Sequence, residues 1–125
     1  MYRILLADDE GIMLESLKKI IETEYGNECE IHTAKTGRVV VEEAEKYPPD
    51  ICFMDIQMPV MDGYDATARI RRMKDEEKAS IPIIAMTANA FAEDRQKAIS
   101  MGMNDHVAKP IDMNVLLPVI AKYIR

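Results

Sequence analysis

The sequence predicts an α/β fold of the doubly wound kind, a five-stranded parallel sheet with five helices on its two faces. Two observations carry this. Short apolar runs at residues 2–7, 29–34, 51–54, 81–86 and 105–108 alternate with segments whose apolar residues recur at helical spacing. Four of those runs also stop abruptly on a charged or hydroxyl residue: Asp8, Asp55, Thr87 and Lys109. A buried parallel strand reads as a continuous hydrophobic run, and its carboxyl end is where open α/β sheets bind ligands.

The first run, Tyr2 to Ala7, ends in Asp8-Asp9-Glu10. From Gly11 the period changes, and Met13, Leu17, Ile20 and Ile21 share one helical face that Gly26-Asn27 closes. Cys29 to Ala34 is an alternating strand, with Cys29, Ile31 and Thr33 on one side. Thr36-Gly37 opens the second helix, with Val40, Val41, Ala44 and Tyr47 inward and Pro48-Pro49 as its stop. Its Val39-Val40-Val41 start is β-branched, but Glu42 to Lys46 is strongly helical in propensity.

After the third strand, Ile51 to Met54, Pro59 and Met61-Asp62-Gly63 force a loop over 55–62, and Asp62 caps the third helix. Ala66, Ile70 and Met73 face inward there, Arg69, Arg71, Arg72 and Lys74 outward, and Asp75 to Lys78 is a solvated end. Ile81 to Met86 is the fourth strand, Phe91 to Met101 the fourth helix, and Asp105 to Ala108 the fifth strand. The last helix runs from about Asp112, with Met113, Leu116, Leu117, Ile120, Ala121 and Ile124 as its stripe. Pro118 requires that this helix start late, near Asn114, or kink.

The 125 residues fit one domain, 1–125, without linker or low-complexity tract. A formal net charge of −6 argues against direct nucleic-acid binding, which neutralising phosphates drives. No apolar run is long enough to span a membrane, and Met1-Tyr2-Arg3-Ile4 lacks the features of a signal peptide. Cys29 and Cys52 have no CxxC partner and read as small buried hydrophobes in a reducing cytoplasm. Ten methionines fall mostly at core positions, as gap-fillers.

In a parallel sheet the residues just past each strand share one edge. Asp8, Asp9, Glu10, Asp55, Thr87 and Lys109 therefore meet in one crevice. Clustered carboxylates need a cation to stay ionised, and few oxygen ligands with room for water favour Mg2+. A carboxylate beside Mg2+ can act as a nucleophile towards a phosphoryl group, giving an aspartyl phosphate. Mg2+ and the Lys109 ammonium would supply positive charge, and the Thr87 hydroxyl one hydrogen bond.

The motifs ILLADDE, FMDIQMPVMDG, IIAMTA and AKP, in that order and on those elements, resemble the receiver domain of two-component phosphorelay signalling over essentially the whole chain. The resemblance implies a flavodoxin-like sheet in the order 2-1-3-4-5 and Asp55 as phosphoacceptor. It implies Mg2+ held by Asp9, Asp55 and the Gln57 backbone carbonyl, with Asp8 acting mainly through water. Thr87 and Lys109 would contact the phosphoryl group, and the Lys109-Pro110 bond would be cis. The family couples the Thr87 position to an aromatic residue on strand five, where this chain has His106. Gln57 and Asn89 flank the site and would tune the lifetime of the phosphoryl group. The implied partners are a sensor histidine kinase or histidine phosphotransfer protein upstream, and a protein partner or fused output domain on the face of the fourth helix, fifth strand and fifth helix.

TANAF, EDRQKA and GMNDH are most similar to receivers of hybrid sensor kinases, whereas Met1 directly before the first strand is similar to free-standing regulators. Two rival readings are an aspartate-nucleophile phosphatase and an interaction module that has lost phosphorylation. The phosphatases place a second Asp two residues after the nucleophile, where this chain has Gln57; the intact acidic, Thr and Lys set argues against the module. On the leading reading the chain is no enzyme beyond catalysing its own phosphorylation and dephosphorylation.

Overall fold

The computed structural model describes residues 1–88 and 91–124. Five parallel strands, β1 (Tyr2–Ala7), β2 (Cys29–Ala34), β3 (Ile51–Asp55), β4 (Ile83–Thr87) and β5 (Asp105–Ala108), form one sheet in the order β2-β1-β3-β4-β5. The helices are α1 (Gly11–Tyr25), α2 (Gly37–Lys46), α3 (Gly63–Arg71), α4 (Glu76–Ala79), α5 (Ala92–Ser100) and α6 (Met113–Tyr123). Class and strand order are those expected. The short α4 is an addition: Asp75, in the stretch read as a solvated end, accepts from the Glu77 amide at 2.9 Å and opens one helical turn.

The alternation of side chains across the sheet splits the core in two. On one face Ile4, Leu6, Phe53 and Met86 pack with Leu17 and Ile21 of α1 and Leu116 and Ile120 of α6. On the other, Leu5, Cys52, Met54 and Ile83 pack with Val40 of α2, Ile70 of α3 and Ala98 of α5. Cys29 belongs to the first cluster and Cys52 to the second, so the sheet separates these free thiols. Burial pushes the Cys52 thiol up to about 12, which leaves it inert as a nucleophile.

Asp62 and Asp112 cap α3 and α6 through backbone amides, Asp65 N at 2.9 Å and Asn114 N at 2.9 Å. Helix α6 starts at Met113, behind its Asp112 cap, and carries Pro118 in its interior, so it does not wait until after Asn114 to begin. Pro118 and Asn114 both lie on its exposed side, so the Asn114 carbonyl that loses its donor is on the side that faces water. The inward stripe differs from the expected one: Met113 and Ala121 are exposed, and Val115 and Val119 pack against the core instead. Tyr47 is likewise exposed, because α2 ends one residue before it. Thr33 lies on an edge strand and is exposed too. β4 begins two residues later than expected, since Pro82 has no amide to give the ladder; its carbonyl still accepts from Cys52 N at 2.8 Å.

Arg71 corrects a further expectation. It points inward, donating from Nε to Gly102 O (2.8 Å), from Nη1 to Ala79 O (2.7 Å) and Ile81 O (2.8 Å), and from Nη2 to Asn104 Oδ1 (2.8 Å). Its planar fork meets carbonyls from two loops at once, which no point charge can do. Arg71→Met is expected to destabilise the chain by about 3 kcal/mol, since charged hydrogen bonds are lost and buried carbonyls stranded, with Arg71→Lys recovering only part of it. Urea unfolding measures both; a loss no larger than for an exposed arginine such as Arg72 would contradict this reading.

Candidate functional site

The strand ends bring four of the expected side chains together. Asp8 follows β1 and is fully buried, its amide donating to Ala34 O of β2 at 3.1 Å. Asp55 closes β3 and is 5 % exposed; Thr87 closes β4. Lys109 follows β5, its amide held by Thr87 O at 2.7 Å, and the Lys109-Pro110 peptide is cis. The Lys109 ammonium reaches between two carboxylates, 3.0 Å from Asp8 Oδ2 and 3.4 Å from Asp55 Oδ2. Glu10 N donates to Asp8 Oδ1 at 2.9 Å and Gln57 N to Asp55 Oδ1 at 3.1 Å, so each acid is also gripped by the chain two residues on.

Electrostatics follow from this packing. Burial, then the Asp8 charge, pushes the Asp55 carboxyl up to about 6, against the pull of the Gln57 amide and Lys109. Burial works against the Lys109 charge, but the hydrogen bond to Asp8 and the attraction of both carboxylates outweigh it and hold the ammonium above its usual value. Carboxylate oxygens of Asp8, Asp9 and Glu10 lie within 4.8 Å of one another. An all-oxygen set of this kind suits a hard divalent cation and excludes soft metals. Asp9 and Glu10 are exposed, so such a cation would keep water ligands.

The backbone enforces the geometry of Asp55. Gly63 N donates to Ile56 O at 2.9 Å, and a Cβ on Gly63 would lie 2.6 Å from Asp55 O. Only glycine lets α3 start that close to the acid. Between them Val60 takes a φ of 66° in a three-residue turn closed by Met61 N to Pro59 O at 2.7 Å. This is a strained conformation for an exposed β-branched residue, and such strain concentrates near functional sites.

His106 of β5 is half-buried, with Nε2 2.6 Å from Thr87 Oγ1. A hollow of about 180 Å³ opens beside Asp55, lined also by Gln57, Thr87, Tyr64, Asp94 and Lys97. Tyr64, Asp94 and Lys97 were missed by the reading of strand ends, because they reach the crevice from helices α3 and α5. Their signal was weak: Asp94 and Lys97 stand three apart on one helical face. Asn89 lies outside the described residues.

The response regulator receiver domain model matches residues 4–121, and the chain belongs to that family. Hybrid signal transduction histidine kinase L of Dictyostelium discoideum is 36% identical over 129 residues, which covers 97% of this chain and 7% of that protein. The receiver domain of sensor histidine kinase PA1611 from Pseudomonas aeruginosa has the same fold, with a TM-score of 0.85, 31% identity, and coverage of 98% of this chain and 96% of that one; it was solved with a magnesium ion coordinated in its active site cleft. Chemotaxis protein CheY4 of Vibrio cholerae, 24% identical with 99% of both chains covered, gives a TM-score of 0.87 and so shares the fold. The chain spans under a tenth of the length of the hybrid kinase it matches.

Proposed function

We propose that this chain is a phosphoacceptor domain that takes a phosphoryl group on Asp55 from the phosphohistidine of a sensor kinase or phosphotransfer protein, or from a small phosphodonor. The observation that carries the reading is the contact set of Asp55: a nearly buried carboxylate at a sheet edge, with Lys109 Nζ at 3.4 Å and Asp8 sharing that cation. By the family resemblance, the Asp9 and Asp55 carboxylates and the Gln57 carbonyl would hold Mg2+, with Asp8 acting mainly through water; the grouping of Asp8, Asp9 and Glu10 supports a cation on that side of the crevice. The metal supplies charge neutralisation for the transferring group.

The chain's own residues do the rest. An ionised Asp55 oxygen attacks phosphorus as the bond to the donor nitrogen or oxygen breaks, and the leaving group departs with that bond's electron pair. Lys109 neutralises one phosphoryl oxygen and the Thr87 hydroxyl binds another. Gln57 lines the hollow beside Asp55, where attacking water would pass, and together with Asn89, which the family resemblance names, would set the lifetime of the product. With Gln57 where a phosphatase would place its second acid, turnover on external substrates is not supported.

The response runs through Thr87. When its hydroxyl turns to the phosphoryl group, its 2.6 Å contact with His106 must be remade. The neighbouring Asp105 gathers Lys122 Nζ at 3.5 Å and Tyr123 Oη at 3.2 Å from α6, and Arg95 at 3.9 Å from α5. A shift of β5 would therefore be felt by α5 and α6, and α5 with its flanking residues exposes Phe91, Ile99 and Met101, apolar surface for a protein partner.

Incubation with Mg2+ and acetyl phosphate tests the proposal. Intact mass should rise by one phosphoryl group, and the rise should disappear with Asp55→Asn or a chelator. An unchanged mass in the wild-type chain would overturn the reading; steady release of phosphate from several monoesters would support the phosphatase instead.

A further inference from the structure

His32, on β2 and away from the acidic crevice, stands between two carboxylates. Its Nε2 is 2.6 Å from Glu30 Oε2 and its Nδ1 is 3.0 Å from Glu43 Oε1. A neutral imidazole carries one N–H and one lone pair, so either tautomer turns a lone pair towards a carboxylate. Only the imidazolium donates to both. Glu30 lies on the same strand and Glu43 on α2, so the doubly protonated ring is a bridge from the sheet edge to the helix above it.

The surroundings hold the bridge in place. From β1, Arg3 Nε approaches Glu30 Oε2 at 3.4 Å, and the Arg3 amide donates to Asp50 Oδ2 at 2.7 Å, ahead of β3. Tyr47, just past α2, stacks on the imidazole with ring centroids 5.8 Å apart and also receives the Arg3 guanidinium at 5.8 Å. The histidine thus contacts two acids and one phenol ring, and Arg3 bears on it through Glu30 and Tyr47.

The geometry points to a proton-operated clasp: protonated His32 fastens α2 to the edge strand β2, and loss of its proton releases that helix. The hydrogen bond to Glu30 raises the affinity of His32 for its proton; burial opposes this, and Glu43 adds to it through a hydrogen bond and its charge. Folding therefore favours the charged ring. The stabilisation is fully present below the ordinary histidine value and is lost as pH rises through the raised one. The released element bears on the crevice, because α2 begins at Gly37, where a Cβ would lie 2.3 Å from Met61 O in the loop after Asp55. The clasp does not depend on Asp55 being phosphorylated.

Nitrogen NMR of the imidazole ring, recorded beside hydrogen exchange of the Val40 to Lys46 amides from mildly acidic to alkaline pH, tests it. Both His32 nitrogens should read as protonated at mildly acidic pH, and that proton should leave above the ordinary histidine value. Protection of the α2 amides, corrected for intrinsic exchange, should fall severalfold as that proton leaves, while α1 amides hold. Glu43→Gln and His32→Gln should abolish the step. A His32 titration at or below the ordinary histidine value, α2 protection that ignores the His32 titration, or the same step persisting in His32→Gln would overturn the clasp.

Discussion

Asp55→Asn is expected to make the metal-free chain more stable at alkaline pH, by about 2 kcal/mol, although it removes the proposed phosphoacceptor. An Asp in an unfolded chain ionises near ~3.9. The folded chain keeps the Asp55 proton up to about 6. Between those values the folded state binds more protons than the unfolded one, so the Asp55 contribution to stability falls as pH rises through the window. Above it, ionised Asp55 stands beside ionised Asp8 with only Lys109 between them. Asn keeps the shape and removes that cost. Thermal or urea unfolding at several pH values measures it: the gap should open above the window and close below it. Mg2+ should also narrow the gap, because a ligand of the native state stabilises the wild-type chain more than one lacking a proposed metal carboxylate. An Asn variant less stable than wild type at every pH would contradict the electrostatics described above.

Lys109→Met should act in the opposite direction and more strongly. The ammonium is the only cation with a resolved contact to either acid among the described residues, at 3.0 Å from Asp8 and 3.4 Å from Asp55. Removing one partner of a buried ionic cluster typically costs about 3–5 kcal/mol, most of it from charge left without compensation. The loss should shrink as Asp55 takes up its proton, and shrink again when Asp8→Asn is added, so that the double variant is far from additive. It should also shrink with Mg2+, which replaces the missing positive charge. Denaturant titrations of the single and double variants read all of this; equal and additive losses would show that Lys109 and Asp8 do not depend on each other.

Much of this was written in the sequence because a parallel sheet has a polarity. Asp8, Asp55, Thr87 and Lys109 each end an apolar run, and topology alone then places them on one edge. Other features depend on how far a side chain reaches or how a helix is rotated about its axis, which periodicity does not encode. Arg71 reads as a surface charge until carbonyls from two loops are seen to converge on it. Lys97 and Tyr64 are ordinary helical residues until α3 and α5 are set beside the crevice. His32 reads as one polar residue of an edge strand, and its second acid, Glu43, comes from the facing helix. Tyr47 fits the inward stripe of α2 by spacing, but the helix ends before it and the ring turns to His32.

The most direct measurement is to locate the phosphoryl group itself. After incubation with acetyl phosphate and Mg2+, borohydride reduces an acyl phosphate to an alcohol, and peptide mass spectrometry finds the altered residue. Conversion of Asp55 to homoserine, dependent on both Mg2+ and donor, is the predicted result. Reduction at Asp8 or Asp9, a stable phosphate on Thr87 or His106, or no altered residue at all would contradict the assignment of Asp55 as the acceptor.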